Sequence, residues 1–210
     1  MKYSQPEIVE TNIEVKTRGH YITPSKGPRG LVIHYTAGHY GGSQEAKGTL
    51  INLADQGLGC LVMDTDGKIY RAKNQGMNDT AWHCGKSSWL GTSGLSRYLL
   101  GMEVCCAGKL SNEGRSWYGE YISLQNRRMI ADKSDNQMPG VYHAFTTLQE
   151  HSLINFCLWQ LDVNREFEID WIVGHDEIAP TRKSDPGGSL SMNMPDFRAM
   201  IRNLSNRAGN

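Results

Sequence analysis

The sequence predicts an α/β or α+β domain in which a β-sheet is covered by at least two helices, and three observations carry that prediction. Leu31-Val32-Ile33-His34-Tyr35 and residues 99–106 are β-rich apolar runs of the length of buried strands. Phe145, Leu148, Leu153, Phe156, Leu158 and Leu161 fall at spacings that suit one amphipathic helix over 146–164. Asp66-Gly67 stands between Cys60-Leu61-Val62-Met63 and Ile69-Tyr70, a turn dipeptide between two short strands.

Taken in order, residues 1–28 alternate poorly and hold Pro6, Pro24, Gly27 and Pro28. They read as an extended lead-in with one short strand at 13–16. The compact domain is expected over 29–205. Ser43, Glu45 and Ala46 open a helix with Leu50, Ile51 and Leu53 on one face and Gly57 as its stop. Residues 108–141 are polar, rich in Gly, Ser and Asn, and too long for a simple connection, so they are expected as an inserted excursion. Its Trp117 and Tyr118 would serve either as a lid or as anchors to the domain. A strand at 169–173 follows the long helix.

The 22 Lys and Arg balance the 22 Asp and Glu in a chain of 210 residues, which leaves no basic field for a polyanion such as nucleic acid. The apolar runs fall far below the roughly 20 residues that cross a bilayer, so no membrane insertion is expected. The first ten residues carry Glu7, Glu10 and Pro6 instead of a basic patch followed by an apolar stretch. No secretory signal is read there, and synthesis in the cytoplasm with indirect release is expected. The five cysteines lack zinc-ribbon or redox spacing and are expected as reduced, buried side chains; a thiolate ligand is the exception kept open. In a strand, Cys105 and Cys106 would point to opposite faces, so at most one of them faces a site.

The segment 173–187 is the most informative. A strand delivers His175 to its end, and after a short loop Lys183 and Asp185 stand two apart, which in extended backbone puts both on one face. Histidine and carboxylate are ordinary zinc ligands, and a catalytic zinc takes three protein ligands and keeps one position open. His34, closing an apolar strand ahead of the small residues Thr36-Ala37-Gly38, is the candidate for the third. Each residue also has a plainer reading. His34 alone would be a strand-end histidine, Asp185 a turn residue before Pro186-Gly187, Lys183 a solvated lysine, and Glu103 half of a salt bridge within its apolar strand.

Val32-Ile33-His34-Tyr35-Thr36-Ala37, Ala81-Trp82-His83-Cys84-Gly85, Leu100-Gly101-Met102-Glu103-Val104 and the stretch from Gly174-His175-Asp176 to Asp185-Pro186-Gly187 together resemble the type 2 N-acetylmuramoyl-L-alanine amidases. That family holds T7 lysozyme-like and peptidoglycan recognition protein-like domains. The match runs in the family's order over about residues 30–188, with Cys84 where the family usually has Ala and with the excursion left uncovered. The resemblance implies a central mixed β-sheet flanked by helices, with a zinc groove at one edge. It implies Zn2+ held by His34, His175 and Asp185, Glu103 as general base, Lys183 as oxyanion donor, and Trp82 and His83 bordering the groove. Tyr35, Asn74 and Trp89 are further candidates for contact with substrate; His20, His39, His143 and His151 are expected not to be ligands. The implied substrate is bacterial peptidoglycan, cut between N-acetylmuramic acid and L-alanine by a monomeric enzyme. A phage endolysin acting on the wall after release is the expected role, with a cytoplasmic muropeptide-recycling amidase and a non-catalytic peptidoglycan-binding module as alternatives.

Overall fold

A computed structural model describes residues 3–16, 22–38 and 43–207. In chain order the strands are β1 (Ile8–Glu10), β2 (Gly30–Tyr35), β3 (Leu61–Met63), β4 (Ile69–Arg71), β5 (Ser88–Trp89), β6 (Thr92–Ser93), β7 (Leu99–Val104), β8 (Lys109–Leu110), β9 (Arg127–Ile130), β10 (Gly140–His143) and β11 (Ile172–Gly174). The helices are α1 (Ser43–Gln56), α2 (Thr147–Val163), α3 (His175–Ile178) and α4 (Met194–Arg207).

Six strands form a mixed sheet in the order β1-β4-β3-β7-β2-β11, in which β3, β7, β2 and β11 run parallel and β11 forms one edge. Alternation along each strand divides two apolar cores. Leu31, Ile33, Leu100 and Met102 pack beneath Leu153 and Phe156 of α2 and Phe197 and Ile201 of α4. Val62 and Tyr70 face the other way, onto Ala46, Leu50 and Leu53 of α1. The sheet is therefore flanked by helices on both faces, as expected.

Local chemistry explains the helix ends. Thr146 accepts from the Gln149 N–H while the Gln149 side chain accepts from the Thr146 N–H, a capping box contributing about 1 kcal/mol at the start of α2. α1 ends where Gly57 takes φ 67°, with Gly57 N–H donating to Ala54 and Leu58 N–H to Leu53, so glycine's freedom at positive φ closes the helix. Between β3 and β4, Gly67 at φ 83° completes a three-residue loop closed by Asp64 N–H to the Lys68 carbonyl.

Several expectations are corrected. Residues 13–16 form no strand; the strand lies earlier, at β1, where it adds in parallel to β4. A three-residue edge strand is held by its partner and has too little periodicity of its own to be read. Residues 169–171 are a short 3-10 turn, and the strand begins at Ile172. Ile51 and Leu148, placed on buried faces from their spacing, are exposed. α4 was not anticipated, although Met194, Phe197 and Ile201 bury one face of it.

Residues 108–141 hold a second, three-stranded sheet of order β8-β10-β9, and β10 continues to His143. This sheet braces the segment after α3. Arg128 donates to the Ser189 carbonyl at 2.8 Å, Gln137 to the Leu190 carbonyl at 3.0 Å and Asn136 to Asp176 Oδ2 at 2.9 Å. No helix among the described residues is long and apolar enough to cross a membrane.

Candidate metal centre and substrate groove

The C-terminal ends of parallel strands are where open α/β sheets present their sites, and the candidate residues gather there. His34 and Glu103 are register partners at the ends of β2 and β7. Alternation turns both away from the α2 and α4 core, on the side of the sheet where α1 lies. His175 follows directly on β11. Asp185 is brought back by the bond from Asp176 N–H to its carbonyl at 2.8 Å, and Asp176 Oδ2 accepts from the nearby Gly187 N–H at 3.0 Å.

Asp185 Oδ2 lies 3.0 Å from Nδ1 of His34 and 3.0 Å from Nδ1 of His175, with all three side chains buried. The two imidazoles stand at 84°, centroids 4.4 Å apart. The opposite ring nitrogens explain which atoms are bare. His83 Nε2 lies 3.1 Å from the Leu99 carbonyl, so it carries a proton and His83 Nδ1 is an acceptor. His34 Nε2, 3.0 Å from that acceptor, must donate. His175 Nε2 likewise donates to the Cys84 carbonyl at 3.2 Å. In the neutral rings both Nδ1 atoms are then unprotonated, and burial holds His34 neutral by lowering its pKa to about 4, with His175 adding to the effect.

Two nitrogen lone pairs and a carboxylate thus converge, an arrangement that calls for a cation between them. Ligands about 2.0–2.1 Å from a tetrahedral zinc stand roughly 3.3 Å from one another, close to the separations here. The donor set therefore fits a divalent cation.

A second cluster, His34, Cys60 and His83, also lies within reach of one ion. It fits less well. The His34 and His83 nitrogens already share a proton, Cys60 does not line the groove, and burial pushes the Cys60 thiol well above its ordinary pKa. Gly101 makes room for this layer: a Cβ there would lie 2.6 Å from Cys60 Sγ and 2.9 Å from His83 Cγ.

The groove over the three residues has a volume of about 670 Å3 and is lined by Tyr35, His83, Glu103 and Lys183 as well. Glu103 Oε2 is buried without a hydrogen-bond partner, and burial raises this carboxyl to about 8, with Asp185 contributing and Lys183 opposing. Such an orphaned oxygen at a groove is a group reserved for something outside the chain. Tyr35 is half-buried and its hydroxyl pairs with Ser184 Oγ at 2.8 Å. The opposite wall is α1, whose Gln44, Gly48, Asn52 and Gln56 recur every fourth residue; this wall was missed, although that polar stripe beside Ala46 and Leu50 was there to be read.

Three expected contacts fall elsewhere. Asn74 is tied to the backbone of Val15 by bonds of 2.9 and 3.2 Å and does not line the groove. Trp82 is half-exposed outside it. Trp89 donates to the Asp170 carbonyl at 2.8 Å and lines a separate cavity that meets the groove only at Lys183. His83 lines the groove but spends both nitrogens within the protein. His143 is buried as an acceptor for the Ala107 N–H, and His151 is exposed on α2. His20 and His39 lie outside the described residues. All five cysteines are buried and free, with Cys105 and Cys106 in opposite cores.

Residues 24–188 match the family model described as N-acetylmuramoyl-L-alanine amidase. A curated relative, the 1,6-anhydro-N-acetylmuramyl-L-alanine amidase AmpD of Haemophilus influenzae, is 30% identical over 128 residues, covering 61% of this chain and 50% of the relative. The chain thus aligns with half the length of that relative. A crystal structure of an AmpD derivative superposes with a TM-score of 0.53 at 21% identity, covering 90% of this chain and 94% of the other. The endolysin N-acetylmuramoyl-L-alanine amidase LysCS of Clostridium intestinale superposes at 0.58 and 16% identity, covering 95% and 98%. At these identities the two structures establish the fold.

Proposed function

The chain belongs to the N-acetylmuramoyl-L-alanine amidase family, and on that premise we propose that it hydrolyses the amide bond between N-acetylmuramic acid and L-alanine of peptidoglycan, with zinc as its cofactor. The single observation that carries the reading is the convergence of His34 Nδ1, His175 Nδ1 and Asp185 Oδ2 at the floor of an open groove. These three residues would hold the metal. When bound, zinc acidifies water and polarises a carbonyl.

The remaining steps belong to side chains. Glu103, its free oxygen buried at the groove, takes a proton from the attacking water and returns it to the L-alanine nitrogen as that amine leaves. Lys183, on the groove wall, donates to the oxyanion of the tetrahedral intermediate. Tyr35, held by Ser184, shapes the wall.

The role we infer is lysis of polymeric peptidoglycan by a monomeric endolysin, a role named for LysCS, which shares the fold. The sequence relationship to AmpD favours a second reading, recycling of soluble anhydro-muropeptides. Mass spectrometry of digested sacculi tests the bond: a new L-alanine amino terminus on every released stem peptide is expected, and release of reducing sugars instead would reject the amidase. Cleavage of intact sacculi against cleavage of small fragments alone separates the two roles.

A further inference from the structure

We propose that Trp117 is a stacking platform for a pyranose ring of the glycan strand, presented at the lip of the groove by the excursion. The inference rests on the peptidoglycan reading and adds a sugar subsite to it.

The local sequence builds a rigid mount. Arg115 and Tyr121 form an isolated β-bridge, and between them Gly119 N–H donates to the Ser116 carbonyl and Ser116 N–H to the Glu120 carbonyl, each at 2.9 Å. Ser116 Oγ accepts from the Glu120 N–H at 3.0 Å, and Gly119 takes φ 91°, which a side chain would resist. Trp117 and Tyr118 stand at the tip of this turn.

Both side chains are then tied to the groove. Trp117 Nε1 donates to the Ala37 carbonyl at 2.7 Å, and the Tyr118 hydroxyl donates to the Gly38 carbonyl. Ala37 and Gly38 line the groove itself, and Ala37 holds φ 49°, an uncommon backbone state for a residue with a side chain. The two rings meet edge to face, 5.4 Å apart at 86°. Anchoring therefore uses the two polar tips and the single ring face that an edge-to-face pair takes up, and leaves most of the Trp117 indole in water.

What remains is the indole face. Trp117 is 78% exposed although its ring is fixed and its N–H satisfied. A large apolar surface kept in water yet immobilised has already lost the conformational entropy that binding would otherwise cost. The π-face is electronegative, and the flat side of a pyranose offers a row of weakly positive C–H groups. Substrate whose muramoyl residue lies in the groove continues as further sugars, and the lip is where the strand would leave. An apolar side chain of the stem peptide is the competing occupant.

Binding of glycan strands stripped of peptide, followed by calorimetry, decides between them. Trp117→Ala should weaken that binding about tenfold and raise KM on sacculi, while Trp117→Phe, which keeps a ring face but loses the bond to Ala37, should stay within about threefold of the parent. Unchanged glycan binding in Trp117→Ala would overturn the proposal and leave the peptide as the occupant. Equal loss in Trp117→Phe and Trp117→Ala would overturn it too, because the bond to Ala37 would then be the whole role. Since no bond is cleaved in this assay, a native protein that bound stripped strands but released no peptide from intact sacculi would reject the amidase reading and leave this subsite standing.

Discussion

His34 Nε2 lies 3.0 Å from His83 Nδ1, and His83 in turn spends its Nε2 proton on the Leu99 carbonyl at 3.1 Å. A backbone carbonyl of β7 thereby decides, through two imidazoles, which nitrogen of His34 faces Asp185 without a proton. Outer partners of this kind typically contribute 10- to 100-fold in metal affinity. His83→Leu should weaken zinc binding by about that factor in a chelator competition, whereas His83→Asn, whose Oδ1 replaces the Nδ1 acceptor, should recover most of it. Equal affinities for the two variants would mean that His83 acts by packing alone.

Glu103 and Lys183 should separate turnover from metal binding. Glu103→Gln is expected to keep its zinc and lose about 10²- to 10⁴-fold in peptide release. Lys183→Ala is expected to keep its zinc and lose about 10²- to 10³-fold. Metal analysis beside steady-state rates is the check, and a wild-type rate in either variant would remove that residue from the mechanism.

Gly101 is the space in which the His83 layer packs. Gly101→Ala would drive a methyl against Cys60 Sγ at 2.6 Å and His83 Cγ at 2.9 Å. A loss of about 1–3 kcal/mol in urea unfolding is expected, as for other overpacked cores, accompanied by weaker zinc binding. Unaltered stability would mean that β7 can shift away from this layer freely.

His143 gives a pH dependence remote from the metal residues. It is buried, accepts from the Ala107 N–H at 2.9 Å, and burial lowers its pKa from 6.5 to about 4. Between those values the unfolded chain binds a proton that the folded one does not, so stability from this group rises with pH from about 4 to about 6.5 and is complete above. Asp176, raised to about 7 chiefly by burial, slopes the opposite way over an overlapping range, so the comparison must be with a variant. His143→Asn keeps an acceptor without the titration, and the native protein should exceed it in slope by up to about 1.4 kcal/mol per pH unit in that window. Parallel curves would mean the imidazole is solvated after all.

Much of the site could be read in the sequence because parallel strands concentrate chemistry at their ends. His34 and Glu103 interrupt apolar runs in which a polar residue needs a reason, and those runs are β2 and β7. Helix α2 was legible to within a residue at each end from the spacing of Phe145, Leu153, Phe156 and Leu161. Other features depend on partners distant in the chain. β1 exists through pairing with β4, and Asn74 spends its amide on Val15, neither of which leaves a local pattern. The relay from Leu99 through His83 to His34 joins residues 16 and 49 positions apart, and only the fold reveals that His83 serves a neighbouring side chain. The stripe on α1 and the buried face of α4 are different, because both are written in local spacings.

If His34, His175 and Asp185 gather one zinc and leave a corner open, X-ray absorption at the zinc edge of the native protein will see it. We expect one zinc per chain with only nitrogen and oxygen neighbours at about 2.0–2.1 Å, one of them an exchangeable water. A sulfur neighbour near 2.3 Å would place the metal with Cys60 and His83 instead, and no stoichiometric zinc at all would contradict the account outright.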